Sequence, residues 1–148
     1  MVMKRTKQPW MKAETFGRSL PGGIGINLLV PEIEPMEGFL RSVLSGRTIY
    51  ADEDFAAIEL GGALMMLHAD HSYADHEMAG VVDGAELRGL GVEIRVYGLD
   101  PDQAEQAARR LGHVVLAGAV DKPHGLRECH LVGPAGYVFV PSLASAAG

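Results

Sequence analysis

Apolar and polar residues alternate twice along the chain in the same way. Ile26, Leu28 and Val30 are spaced by two, which predicts a strand with one apolar face. Met36, Phe39, Leu40, Val43 and Leu44 follow at helical spacing, and Gly46 is expected to end that helix. The pattern then returns. Val92, Ile94 and Val96 alternate as a second strand, and Ala104, Ala107, Ala108 and Leu111 form a second helical stripe. Asp100 and Pro101 suit the cap and first position of that helix, and Gly112 suits a left-handed residue at its end. An offset of 66 residues carries Gly25 onto Gly91, Val30 onto Val96, Pro35 onto Pro101 and Gly46 onto Gly112.

Three more strands are expected after each helix. They are RTIYAD, FAAIEL and ALMMLH in the first copy, and HVVLAG, LRECHLV and YVFVPS in the second. Gly61-Gly62 and Gly133–Gly136 supply the last turns. Gly62 and Gly136 lie about eight residues further apart than the offset, and the surplus is expected in the DKPHG loop. The chain therefore divides into a polar lead-in over 1–19, a first unit over 20–68, a linker over 69–89, a second unit over 90–142 and a tail over 143–148. The lead-in lacks periodicity and is expected to have little order, with Trp10 either covering a partner or free. The predicted fold class is α+β: two βαβββ modules forming open curved mixed sheets around a cleft.

Composition narrows the function classes. A chain of 148 residues suits one compact domain or two small modules with a common core. Lys and Arg total 13 against 19 Asp and Glu, so the net charge of −6 speaks against a phosphate backbone as partner, and no nucleic acid is expected. One cysteine, Cys129, cannot form an internal disulfide, which favours a reducing compartment. No apolar run approaches the roughly 20 residues that span a bilayer. The basic N-terminus is not followed by the apolar stretch of a secretory signal. A cytoplasmic protein without a membrane partner is the expectation.

The segments GVEIRVYGLDPDQAEQAARRLG, HGLRECHLV and GPAGYVFVPS resemble the vicinal oxygen chelate superfamily, the glyoxalase, bleomycin-resistance and extradiol-dioxygenase group. The resemblance implies that each unit curls its sheet around a cleft. It also implies that units pair, commonly by exchange between chains, so a homodimer is expected. In enzymes of that group, metal ligands come from the first and last strands of each unit. The matching positions here are Gly25, Gly91, Met66 and Val140, none a usual ligand for a divalent metal. The resemblance thus implies a scaffold without its usual metal centre: a metal-independent protein, with no cofactor, binding a small antibiotic- or metabolite-like molecule. The alternative is a metal-dependent lyase, isomerase or dioxygenase with His68 and Glu93 as non-standard ligands.

Strand parity then names the cleft face. Asn27, Leu29, Met66 and His68 face it in the first unit, and Glu93, Arg95, Val138 and Val140 in the second. Ligand density is expected between Asn27, Met66 and Arg95. Within LHADHSYADHE, His68, His71 and His76 are either metal ligands with their neighbouring carboxylates or surface residues of a polar linker. Arg95 either grips an anionic ligand or pairs with Glu93 or another acid. Tyr50, Phe55, Tyr73, Tyr97 and Tyr137 are candidate stacking walls, whereas Phe139 falls on the helix side. One of Met65 and Met66 is expected in the core and the other in the cleft. Cys129 reads as a buried strand residue rather than a nucleophile.

Overall fold

The computed structural model describes residues 2–146. The first unit comprises β1 (Ile26–Val30), α2 (Ile33–Val43), β2 (Arg47–Ala51), β3 (Phe55–Leu60) and β4 (Ala63–Ala69), preceded by α1 (Ala13–Ser19). After α3 (Glu77–Val82), the second unit runs through β5 (Glu93–Tyr97), α4 (Pro101–Arg110), β6 (Val114–Asp121), β7 (Leu126–Val132) and β8 (Val138–Ala144). The two sheets have the same order, β1-β4-β3-β2 and β5-β8-β7-β6. In each, the first strand pairs in parallel with the last and the remaining pairs are antiparallel. The α+β class with two mixed βαβββ sheets is therefore as expected. Residues 147–148 of the expected tail lie outside the described residues, and Leu143 and Ala144 belong to β8.

Burial follows the period of two. Leu28 and Val30 of β1, Ala56 and Ile58 of β3, and Met65 and Leu67 of β4 all point into the core, where α2 lays Met36, Phe39 and Leu40 over them. One cluster takes in the helix side of both sheets. Phe39 is its joint: its ring centre lies 5.4 Å from that of Phe139 and 4.8 Å from that of His113. Because both helix faces close on one core, the opposite face of each sheet turns outward.

The two helices end differently, although their glycines match in sequence. In α4, Asp100 accepts hydrogen bonds from the N–H groups of Asp102 and Gln103 at 2.9 and 3.3 Å, and Gly112 takes the left-handed φ of 81°. In α2 the left-handed residue is Ser45, φ 57°, one position before the glycine. Gly46 is needed for space instead: its N–H reaches Leu40 O at 2.8 Å, and a Cβ there would lie 2.9 Å from that oxygen. Leu111, expected on the buried stripe, is half-exposed just beyond the end of α4. The extra residues of the second unit lengthen the β6–β7 hairpin strands rather than sitting only in the DKPHG loop.

The lead-in is a correction. It is ordered and crosses the outer face of the first sheet as a strap. Trp10 stacks on Tyr50 at 5.4 Å and 16° between planes, and Phe16 meets the edge of Phe55 at 5.5 Å. The connector between the units is also fixed. Arg88 holds both carboxylate oxygens of Asp70 at 2.7 Å, and its N–H donates to Ala135 O at 2.8 Å. The Tyr137 hydroxyl donates to Leu29 O at 2.8 Å. A Cβ on Gly89 would lie 2.6 Å from Tyr137 Cα, and one on Gly136 would lie 2.7 Å from Leu87 Cα, so both positions must be glycine. Among the described residues no helix is long and apolar enough to cross a membrane.

Candidate functional site

Between the strap and the outer face of the first sheet lies a cavity of about 300 Å³. The strap contributes Trp10, Met11 and Phe16, and the sheet contributes Tyr50, Phe55, Met66 and His68. Register explains the sheet side: Phe55 pairs with His68, and Ala57 with Met66, so these side chains share one face. Met65, one residue from Met66, lies in the core, which divides the two methionines as expected. A larger depression of about 560 Å³ lies on the other side of Arg5, between the strap, α2 and β2. Its lining is mainly charged and polar, including Lys7, Glu32, Glu34, Glu37 and Glu53, which suits a solvated groove better than a ligand pocket.

The strap is fastened at Asp54, whose side chain is 1% exposed. Its carboxylate accepts the Lys4 N–H at 2.8 Å, the Arg5 N–H at 3.4 Å and Arg5 Nε at 2.8 Å, and it contacts His71 Nε2 at 2.6 Å. Burial opposes its ionisation, but the hydrogen bonds from the Lys4 main chain, His71 and Arg5 outweigh burial and hold the carboxyl at about 2, against an ordinary 3.8. Arg5 Nε also lies 3.1 Å from Asp52. The charged groups at this end of the cavity are therefore paired with one another.

His68 is oriented from behind. Its Nδ1 lies 2.6 Å from Asn27 Oδ1, and Asn27 Nδ2 donates to the Tyr73 hydroxyl at 3.0 Å. Nδ1 thus carries the proton, and Nε2 keeps its lone pair. Burial, and then the positive charge of Arg5, push the imidazole below its ordinary 6.5, so it is neutral at pH 7. Its ring sits 5.0 Å from Phe55 and 5.1 Å from Tyr73.

The second sheet's outer face is built otherwise. Glu93 and Arg95 pair in register with Val138 and Val140, so all four share a face, as parity predicts. None of them lines the cavity under the strap. Met66 lines the cavity under the strap, with Asn27 behind His68, and Arg95 lies on the sheet of the other unit. Arg95 pairs with Glu93 at 2.8 Å and with the buried Glu128. Glu93 also contacts His130 Nε2 at 2.9 Å, and its carboxyl lies below the ordinary range, mainly through His130 and then Arg95. The guanidinium is occupied within the chain rather than free for an anion. Val140 is fully buried and Leu29 nearly so, which leaves them little surface to offer a ligand.

The three histidines of 68–76 do not converge. His68 bonds Asn27, His71 bonds Asp54, and His76 accepts the N–H of Met78 as the cap of α3. Glu93 takes its partners on the other sheet. Among the described residues no three His, Cys, Asp or Glu side chains are grouped as a metal requires. With Gly25, Gly91, Met66 and Val140 at the positions matching the usual ligands, the residues present do not fit the metal that the fold family implies. Cys129 is buried and donates to Pro101 O at 3.4 Å; burial, then the nearby carboxylates of Glu105, Asp102 and Glu128, push its thiol up to about 12. Strand parity reached Met66, His68 and Asn27. It missed Arg5, Trp10, Phe16 and Asp54, and the one available signal was a lone Trp with a Phe in an otherwise polar lead-in.

No family model matches the sequence. No curated protein matches it either. Solved structures do. A glyoxalase/bleomycin resistance protein/dioxygenase from Nocardioides is 21% identical, with 91% of this chain and 94% of that one covered and a TM-score of 0.63. A glyoxalase/bleomycin resistance protein/dioxygenase family enzyme from Burkholderia phytofirmans PsJN is 16% identical over 82% of this chain and 97% of its own, TM-score 0.66. The fosfomycin resistance protein FosX from Listeria monocytogenes is 13% identical over 86% and 97%, TM-score 0.63. The chain is thus an α+β protein built from paired βαβββ units. More narrowly, its fold is that of solved glyoxalase/bleomycin resistance/dioxygenase proteins.

Proposed function

We propose that the chain is a metal-independent small-molecule binding protein, with its ligand held between the first sheet and the N-terminal strap. One observation carries this reading: a cavity of about 300 Å³, walled by rings and thioethers and closed by a segment of the chain itself. Apolar walls with few polar groups are the general form of a small-molecule site. The structural neighbours include a glyoxalase/bleomycin resistance protein/dioxygenase and a fosfomycin resistance protein, which supports an antibiotic- or metabolite-like ligand. A homodimer accompanies the reading. Val92, Val114 and Leu116 leave apolar surface on the second unit, where a second copy would pack.

The test is a thermal-shift screen of antibiotics and aromatic metabolites, followed by titration calorimetry with and without a chelator. A ligand present at one hundred times its Kd stabilises the native state by about 2.7 kcal/mol, which at this size raises Tm by roughly 5–10 °C. Binding that persists in chelator is expected. A screen without any shift, or binding that disappears with the metal, overturns the proposal. Light scattering after gel filtration reads the dimer.

A further inference from the structure

The inventory of polar atoms around the cavity identifies what its ligand must bring. Arg5 is held by Asp52 and Asp54. Asp54 is held by Arg5, His71 and the Lys4 N–H. The Tyr50 hydroxyl donates to Asp52, and the Ser72 hydroxyl to Ala69 O at 2.7 Å. The remaining side chains lining the cavity are rings, thioethers and aliphatic carbon, apart from the indole N–H of the 40% exposed Trp10 and the imidazole of His68. His68 spends its only N–H on Asn27, and its Nε2 forms no hydrogen bond among the described residues.

We propose that the cavity selects an uncharged, flat aromatic compound that carries one O–H or N–H donor and gives it to Nε2 of His68. This rests on the reading of the cavity as a ligand site. A flat aromatic ligand is favoured by the rings of Trp10 and Phe16 from the strap and Tyr50 and Phe55 from the sheet, one contiguous cluster with centres 5.4 to 6.3 Å apart that offers faces and edges for stacking. Its volume lies at the small end of the roughly 300–1,000 Å³ usual for ligand pockets, which suits two fused rings. Charge is selected against because each charged group lining the cavity already has its counter-ion. The donor is selected because a ligand without one would strip water from Nε2 and return nothing, and a site built around a hydrogen bond rejects the analogue that lacks it.

Three probes of one shape test this by titration calorimetry at pH 7.5: 2-naphthol, 2-methoxynaphthalene and 2-naphthoate. The expected result is 2-naphthol binding at least about tenfold more tightly than either of the others, with the preference over the methoxy compound lost in His68→Phe. Equal binding of naphthol and methoxynaphthalene, tighter binding of naphthoate, or a preference that survives in His68→Phe overturns the inference and leaves the cavity a ligand site. Absence of heat from all three overturns the inference together with the reading on which it rests. If His68→Phe does not fold, the comparison of probes on the native chain decides alone.

Discussion

The outer faces of the two sheets share a strand order and differ in nearly everything else. The first is roofed by the chain's own N-terminus and holds rings, thioethers and a neutral imidazole. The second carries a run of ion pairs through His130, Glu93, Arg95 and Glu128, with Tyr97 exposed beside them. The helix sides do not diverge in this way, because both are bound to one core. A repeated fold therefore constrains the buried periodicity of its units and leaves their outer faces free to specialise. Burial with a partner on every side permits few substitutions; a face exposed to solvent, or to a strap, permits many.

Four substitutions probe that contrast. Phe39→Ala removes the ring that touches both units. A loss of about 3–5 kcal/mol is expected, in a single cooperative denaturant transition; two separate transitions would show that the units do not share a core. Asp54→Asn acts on the first face alone. Its folded-state carboxyl lies at about 2 and its ordinary value is 3.8, so its contribution is full above about pH 4 and is lost as the pH falls towards 2. The shift corresponds to about 2 kcal/mol. Release of the strap should move the emission of Trp10, the one tryptophan, to longer wavelength and open Lys7 and Lys12 to trypsin. Unchanged emission would refute the fastening role.

Arg95→Met breaks the second face and leaves Glu128 buried with only His124 at 3.7 Å. A cost of about 2 kcal/mol is expected from leaving the Glu128 carboxylate without its guanidinium, without change in Trp10 emission; a shifted emission would mean that the two faces communicate. Tyr97→Ser should change stability by less than about 0.5 kcal/mol, since the ring is exposed and outside the core. Chemical denaturation at pH 7 measures both.

Legibility in the sequence followed the length scale of the signal. Ile26, Leu28 and Val30 announce their face because the period of two acts over five residues, and Asp100 caps α4 through N–H groups two and three residues away. The cavity wall was half legible, since Met66 and His68 share the parity of Asn27. The strap was not. Arg5 meets Asp54 across 49 residues, and Trp10 meets Tyr50 across a similar gap, with no repeat to mark either. The separation of Arg95 from Asn27 was equally hidden. It depends on Phe39 packing against Phe139, a contact between units that looks the same in sequence whether the outer faces turn together or apart.

The passage from Leu87 to Gly89 gives the duplication a physical seam. Main chain presses on main chain there, at Gly136 and Tyr137, and Arg88 rivets both sides to Asp70 and Ala135. A seam clamped on both flanks cannot serve as a loose tether, so the two halves inherit a fixed relative posture instead of sampling many. Cutting the polypeptide at that seam and joining its original ends would give up those clamps at once.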